Sequence, residues 1–121
     1  MLKKVLVVDD SESIRDVVSY TLSNEGYDVT TAEDGDIALE KIRKEKYRLV
    51  VTDLYMPNMN GLELIREIRK LDNYKGVPIL FLTTESQLDK KKEAKEAGAT
   101  GWIVKPFQPE KLLKALKKVL R

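Results

Sequence analysis

Apolar, β-branched runs alternate along the chain with segments whose apolar residues recur at helical spacing, and this alternation occurs five times. The runs predict strands at residues 5–8, 27–31, 49–53, 77–82 and 101–104. Strands that alternate with helices are typical of a parallel sheet with helices on both faces, because each crossover returns the chain to the same end of the sheet. The pattern therefore predicts an α/β fold.

Capping residues mark the ends of three predicted helices. Gly26 lies where a glycine would end the first helix, and Asn60 and Glu63 have capping-box spacing before the third. Pro109 suits the first position of the last helix, and a second helix is predicted at residues 36–44. The first helix carries its apolar stripe on Ile14, Val17, Val18, Thr21 and Leu22.

The fourth helix is predicted from Ser86 and Asp89, which have a cap-like spacing ahead of a short, polar segment. This segment offers three residues for packing, which are Leu88, Ala94 and Ala97. We therefore expect the fourth helix to be the least stable.

The composition limits the kinds of fold and chemistry that are available to the chain. A length of 121 residues suits one domain, and 42% hydrophobic with 35% charged residues fits a small core inside a charged surface. The chain has no cysteine and no histidine, which excludes disulfides, thiol chemistry and histidine bases or ligands. No apolar run approaches the roughly 20 residues that span a bilayer, so we expect a cytoplasmic protein without membrane insertion.

Charge is distributed unevenly along the chain. From Leu88 to the end there are ten Lys or Arg residues against four Asp or Glu, whereas the preceding part is net acidic. The basic part has no interleaved aromatic residues and no recognisable nucleic-acid-binding pattern. We therefore expect a solvated face or an acidic protein partner there, and not direct binding to nucleic acid.

Polar residues stand where the predicted strands end. Asp9 and Asp10 follow the first strand, Asp53 ends the third, Thr83 follows the fourth, and Lys105 follows the fifth. The carboxyl ends of parallel strands lie at one edge of the sheet, so these side chains should converge. Carboxylates about 4 Å apart repel by roughly 4 kcal/mol at an effective dielectric of 20, which favours a bound divalent cation. An all-oxygen site at a shallow edge suits Mg²⁺, although Asp10 or Ser11 could also serve simply to cap the first helix.

A magnesium site of this kind favours phosphoryl transfer. Asp53 stands alone at its strand end and is the best candidate for a nucleophile that forms an acyl phosphate, with Lys105 and Thr83 available to the phosphoryl oxygens. A phosphatase of the haloacid dehalogenase type would need an acid at the position of Tyr55. A flavodoxin would need a first loop without acidic residues, because acidic residues there repel a flavin phosphate.

These residues together resemble a known family. The Asp9-Asp10 pair, the segment DLYMPNMNG from Asp53 to Gly61, Thr83 and the Lys105-Pro106 pair resemble the receiver domain of bacterial two-component response regulators. The resemblance covers essentially the whole chain. It implies a single receiver domain at residues 1–121, with a (βα)₅ flavodoxin-like, doubly wound parallel sheet of strand order 2-1-3-4-5. It also implies that Asp53 accepts a phosphoryl group from the phosphohistidine of a sensor histidine kinase.

The resemblance also assigns the magnesium ligands and phosphoryl contacts. Asp10 and Asp53 would donate carboxylate oxygens to Mg²⁺, Asp9 would act directly or through water, and Tyr55 would contribute its backbone carbonyl. Thr83 and Lys105 would contact the phosphoryl group, and the Lys105-Pro106 bond is expected to be cis.

Further positions receive regulatory roles from the same resemblance. Thr83 would move toward the phosphoryl group, and Trp102 would turn inward and reshape the face formed by the fourth helix, the fifth strand and the fifth helix. Tyr55 and Glu85 would tune the lifetime of the acyl phosphate.

The ending GWIVKPF and the short length are most similar to single-domain chemotaxis regulators in this family. Such a protein is a phosphoacceptor and not an enzyme on other substrates. Its expected partners are a sensor histidine kinase or histidine phosphotransferase and an output protein such as a flagellar motor switch component. Two alternatives remain open, a phosphorelay intermediate and a receiver domain cut from a longer transcription factor or enzyme.

Overall fold

The computed structural model describes residues 3–56, 58–84 and 90–120. Five strands form one parallel sheet in the order β2-β1-β3-β4-β5. The strands are β1 (Lys4–Val8), β2 (Asp28–Ala32), β3 (Leu49–Asp53), β4 (Ile79–Thr84) and β5 (Gly101–Lys105). The predicted fold class and strand order are confirmed, and β2 and β5 lie at opposite edges of the sheet.

Helices cover both faces of the sheet. They are α1 (Glu12–Asn24), α2 (Gly35–Lys44), α3 (Gly61–Arg69), α4 (Lys91–Ala97) and α5 (Pro109–Val119), with a 3₁₀ turn at Asp72–Tyr74. One core cluster joins the sheet to α2 and α3, and a second joins it to α1 and α5. The central strands β1 and β3 are buried along almost their whole length, which explains their continuous apolar runs. In the described part of the chain, no helix has the length and apolar character needed to cross a membrane.

The predicted capping residues are found at the helix ends. Gly26 follows α1 with a φ of +89°, a conformation that favours glycine. Asn60 and Glu63 form a reciprocal capping box at the start of α3, and Pro109 begins α5. Ser11 accepts a hydrogen bond from the Ile14 amide and caps α1, which decides between the two candidates that the sequence left open.

Some boundaries and one packing residue differ from the predictions. β4 begins at Ile79 and not at residue 77, because Pro78 has no amide hydrogen and the Val77 amide bonds back to the Tyr74 carbonyl. On α1, Val18 and Leu22 are buried, but Val17 is about half exposed, so its expected place in the apolar stripe is wrong. The predicted cap residues of α4, Ser86 and Asp89, lie outside the described residues, as does Leu88.

Candidate functional site

The sheet brings the predicted acidic residues together. β1 and β3 are neighbours, with Val8 opposite Thr52, so Asp9 after β1 and Asp53 at the end of β3 come to lie side by side. One carboxylate oxygen from each of Asp9, Asp10 and Asp53 lies within 4.8 Å of the other two. The predicted convergence of these three residues is therefore found in the structure.

Lys105 reaches this cluster from the end of β5. Its Nζ lies 3.0 Å from Oδ2 of Asp9 and 3.4 Å from Oδ2 of Asp53. Asp9 is fully buried and Asp53 is 8% exposed, so a single ammonium group partly neutralises two desolvated carboxylates. Three carboxylates with one ammonium leave an excess of negative charge.

Hydrogen bonds from Ser11 and Arg15 hold Asp9 in position. Its Oδ1 accepts a hydrogen bond of 2.9 Å from the Ser11 amide, and its carbonyl oxygen accepts one of 2.7 Å from the Arg15 guanidinium. Asp10 is exposed at the mouth of the cluster. The sequence does not predict the contact between Arg15 and the Asp9 carbonyl. Its one indication is the position of Arg15 one turn into α1, from which the side chain can reach back to the end of β1.

The Asp53 carboxyl group has a raised pKa. Burial raises its pKa above the ordinary 3.8, and the neighbouring Asp9 raises it further. Lys105 and the Leu54 amide, which donates to Oδ1 at 2.8 Å, oppose this rise. The Asp53 carboxylate is thus poorly stabilised, which favours a bound cation or covalent modification of the carboxyl group.

Gly61, the first residue of α3, packs closely against the backbone of Asp53 and Leu54. The Gly61 amide donates to the Leu54 carbonyl at 2.7 Å. A Cβ atom at position 61 would fall on the carbonyl oxygen of Asp53 and lie 2.8 Å from Leu54 Cα. This close approach explains why glycine stands at the end of the segment DLYMPNMNG. The sequence gives no sign of the contact apart from the glycine itself.

Two more of the predicted site residues, Thr83 and Tyr55, lie in the described part of the chain. Thr83 is fully buried on β4, opposite Val104 of β5, and its hydroxyl donates to the Thr84 carbonyl at 3.2 Å. The Tyr55 side chain is exposed, and the Lys105-Pro106 peptide bond is cis as expected. Glu85 lies outside the described residues.

Trp102 points away from the core. The indole is 47% exposed, its centroid lies 6.4 Å from that of the Phe81 ring, and Lys91 Nζ lies 4.1 Å from it. The side chain predicted to turn inward is therefore in an outward position in this structure.

The donor set fits a magnesium ion. Carboxylate oxygens from Asp9, Asp10 and Asp53 converge, one of them at the exposed mouth, and the described residues contain neither histidine nor cysteine ligands. Mg²⁺ prefers oxygen ligands and retains some of its water, which an open mouth allows.

Comparison with known proteins gives a consistent result. Residues 5–117 match the family described as the response regulator receiver domain. The chain is 42% identical over 119 residues to chemotaxis protein CheY1 of Helicobacter pylori, covering 97% of this chain and 96% of that protein. The structure of the chemotaxis response regulator CheY4 of Vibrio cholerae superposes with a TM-score of 0.95 at 52% identity, covering 99% of this chain and 100% of that one.

Longer proteins match equally well. The alkaline phosphatase synthesis transcriptional regulatory protein PhoP of Bacillus subtilis is 40% identical over 121 residues, which are 100% of this chain and 50% of PhoP. The chain thus spans about half the length of some curated relatives and nearly all of others.

Proposed function

Because this chain belongs to the family of response regulator receiver domains, which serve two-component signalling, we propose that it is a phosphorylation-dependent switch whose phosphoacceptor is Asp53. The phosphoryl donor is the phosphohistidine of a sensor histidine kinase or of a histidine phosphotransferase. The chain itself is a single receiver domain, and the family consists of signalling modules rather than enzymes acting on other substrates.

The observation that carries the proposal is the environment of the Asp53 carboxylate. It is a buried nucleophile with a raised pKa, it lies 3.4 Å from the Lys105 ammonium, and it is within reach of two further carboxylates. A carboxylate in this setting has the charge partners that phosphoryl transfer requires.

In the proposed reaction an oxygen of ionised Asp53 attacks the phosphorus atom. The O–P bond of an acyl phosphate forms, the P–N bond of the phosphohistidine breaks, and its electron pair returns to the imidazole ring. Lys105 pairs with one phosphoryl oxygen, and the Thr83 hydroxyl donates to another. Asp9, Asp10, Asp53 and the Tyr55 backbone carbonyl would hold a magnesium ion, which supplies positive charge beside the transferred group.

The output of the switch is a change in partner binding at the surface of α4, β5 and α5. Thr83 and Trp102 couple this surface to the phosphoacceptor, and Tyr55 and Glu85 set access of water to the acyl phosphate. Similarity over nearly the full length of CheY1 supports a role in chemotaxis, with a flagellar motor switch component as the output partner.

A second candidate is favoured by the match to PhoP, of which this chain covers 50%. In that case the chain is the receiver part of a longer response regulator, or a phosphorelay intermediate that returns the group to a second histidine protein. A pull-down experiment distinguishes these roles. The bait is the protein bound to beryllofluoride, a mimic of the acyl phosphate, and the captured partner identifies the role. Selective capture of a flagellar switch component supports chemotaxis, and capture of a histidine phosphotransferase supports the relay.

The phosphoacceptor is tested by labelling. With acetyl phosphate and Mg²⁺, we expect the mass of one phosphoryl group to be added to the native protein and lost in Asp53→Asn. The matched control Asp16→Asn, an exposed position on α1, should retain labelling. An adduct that persists on Asp53→Asn would overturn the assignment.

A further inference from the structure

Thr52 interrupts the apolar run of β3 with a hydroxyl group. Its neighbours across the sheet are Val8 on β1 and Phe81 on β4, and all three residues are buried. Valine has almost the same shape as threonine and is more favourable among apolar side chains, because a buried hydroxyl group loses its hydrogen bonds to water. A hydroxyl group at this position therefore needs a hydrogen-bond partner within the protein.

The partner of this hydroxyl group is the backbone beside the proposed phosphoacceptor. Thr52 Oγ1 donates to the carbonyl oxygen of Asp53 at 2.9 Å. That oxygen belongs to the peptide unit between Asp53 and Leu54, whose other end is the Leu54 amide. Because the atoms of a peptide unit lie in one plane, a bond that fixes the carbonyl oxygen also fixes the direction of the N–H group.

The Leu54 amide in turn holds the Asp53 carboxylate. It donates to Oδ1 at 2.8 Å, and Oδ2 lies 3.4 Å from Lys105 Nζ. The Thr52 hydroxyl and the Asp53 carboxylate are thus bound at opposite ends of one rigid unit. Since hydrogen bonds weaken steeply when their angles become unfavourable, a rotation of this unit would weaken both bonds at once.

Gly61 restricts the same peptide unit through its backbone. Its amide donates to the Leu54 carbonyl at 2.7 Å, and a Cβ atom at this position would collide with the Asp53 carbonyl oxygen. This close contact limits how far the peptide unit can move. The directional bond from Thr52 sets the orientation of the unit within that limit.

We propose that Thr52 is a positioning residue for phosphoryl transfer. Its hydroxyl group orients the peptide unit so that the Leu54 amide holds one oxygen of Asp53 while the other faces Lys105. The inference rests on the proposed function, in which Asp53 is the phosphoacceptor. Successive side chains of a strand point to opposite faces, so Thr52 acts through the backbone and not by contact with the transferred group. A carboxylate that is already oriented needs less rearrangement before it attacks.

Two substitutions separate the hydroxyl group of Thr52 from its methyl group. Thr52→Val keeps the shape and removes the donor, whereas the conservative variant Thr52→Ser keeps the donor and removes a buried methyl group. With acetyl phosphate and saturating Mg²⁺, we expect the rate of labelling to fall about five- to tenfold in Thr52→Val and to stay within about twofold of the native rate in Thr52→Ser. Thr31→Val makes the same chemical change on β2, two strands away from β3, and should label at the native rate.

Thermal unfolding should rank the two variants in the opposite order. Loss of a buried methyl group should lower the unfolding midpoint of Thr52→Ser by about 3–6 °C. In Thr52→Val, the burial of an apolar group offsets the lost hydrogen bond, so the midpoint should stay within about 3 °C of the native value. A purely structural role predicts that the rate of labelling falls with the midpoint. Faster labelling of Thr52→Val than of Thr52→Ser would therefore overturn the proposal.

Amide hydrogen exchange tests the orientation of the peptide unit without any phosphoryl group. In the metal-free protein, the Leu54 amide should exchange at least about tenfold faster in Thr52→Val than in the native protein or in Thr52→Ser. An unchanged exchange rate in Thr52→Val would contradict the role of Thr52. Failure of the native protein to accept a phosphoryl group would instead overturn the proposed function, and the exchange of the Leu54 amide would still decide whether Thr52 orients this peptide unit.

Discussion

The Nζ atom of Lys91 lies 4.1 Å from the centroid of the Trp102 indole, which joins the first residue of α4 to the edge strand β5. A cation in this position is attracted by the negative face of the ring, with about 0.5–1 kcal/mol at an exposed site. The contact stabilises the outward position of Trp102. It therefore opposes the inward turn that the proposed switch requires.

Lys91→Met should shift this equilibrium, because it removes the charge and keeps a side chain of high helix propensity. Trp102 is the only tryptophan, so its emission reports the change directly. In excess Mg²⁺, we expect the beryllofluoride concentration that produces half of the emission change to be about two- to fivefold lower for Lys91→Met than for the native protein. Lys92→Met, at the adjacent exposed position, is the control, and identical titrations of the two variants would contradict the role of Lys91.

Gly61→Ala should disrupt both stability and labelling. The new Cβ atom would collide with backbone atoms of Asp53 and Leu54, so β3 or α3 must shift. We expect the free energy of unfolding in urea to fall by roughly 1–3 kcal/mol and labelling of Asp53 by acetyl phosphate to slow. Gly76→Ala, where a Cβ atom meets nothing within 4 Å, should change stability by less than about 1 kcal/mol. Equal effects at the two glycines would show that close approach is unimportant.

Asp53→Asn should stabilise the protein when magnesium is removed by a chelator. Since the folded-state pKa of Asp53 is raised, the folded protein holds this proton more firmly than the unfolded chain does. The free energy of unfolding therefore falls as pH rises above the ordinary carboxyl pKa of 3.8, and asparagine removes this loss.

The expected gain of Asp53→Asn in urea unfolding is roughly 1 kcal/mol near neutral pH, and it should shrink toward about pH 4. Asparagine keeps the acceptor for the Leu54 amide, and Lys105 keeps its partner Asp9 at 3.0 Å. A gain that is independent of pH would mean that ionisation of Asp53 is not its cause.

Asp10→Asn should weaken magnesium binding with little effect on the metal-free protein. Asp10 is exposed, so its replacement breaks no buried contact, but it removes one of the three converging carboxylates. Calorimetric titration should give a dissociation constant for Mg²⁺ raised by roughly tenfold, and the thermal stabilisation by a fixed Mg²⁺ concentration should shrink accordingly. Glu12→Gln, an exposed carboxylate in the first turn of α1, should leave both quantities unchanged.

The sequence predicted the features of the fold that depend on local chemistry. Gly26, Asn60 and Pro109 marked helix ends because each residue has a conformational or hydrogen-bonding preference that operates within a few positions. The convergence of Asp9 and Asp53 was predictable because strand ends of a parallel sheet lie at one edge.

Features that depend on packing between distant segments were not predictable. Val17 fits the apolar spacing of α1, yet the surface available on β2 and α5 covers only the face that includes Val18. The Lys91 contact with Trp102 and the Arg15 contact with the Asp9 carbonyl depend on side-chain directions that no local pattern encodes. The open depression lined by Lys111, Lys114 and Lys118 likewise exists only because α5 lies beside the beginnings of β4 and β5.

The order of the strands also separates charge across the whole molecule. One edge of the sheet is β2, and residues 12–45 around it hold nine Asp or Glu against four Lys or Arg. The other edge is β5, and residues 90–120 around it hold nine Lys against three Glu. Such a molecule has a permanent electric dipole along the sheet. A negatively charged partner would rotate it during approach so that β5 arrives first, and salt that shortens the Debye length to about 10 Å or less would abolish this alignment.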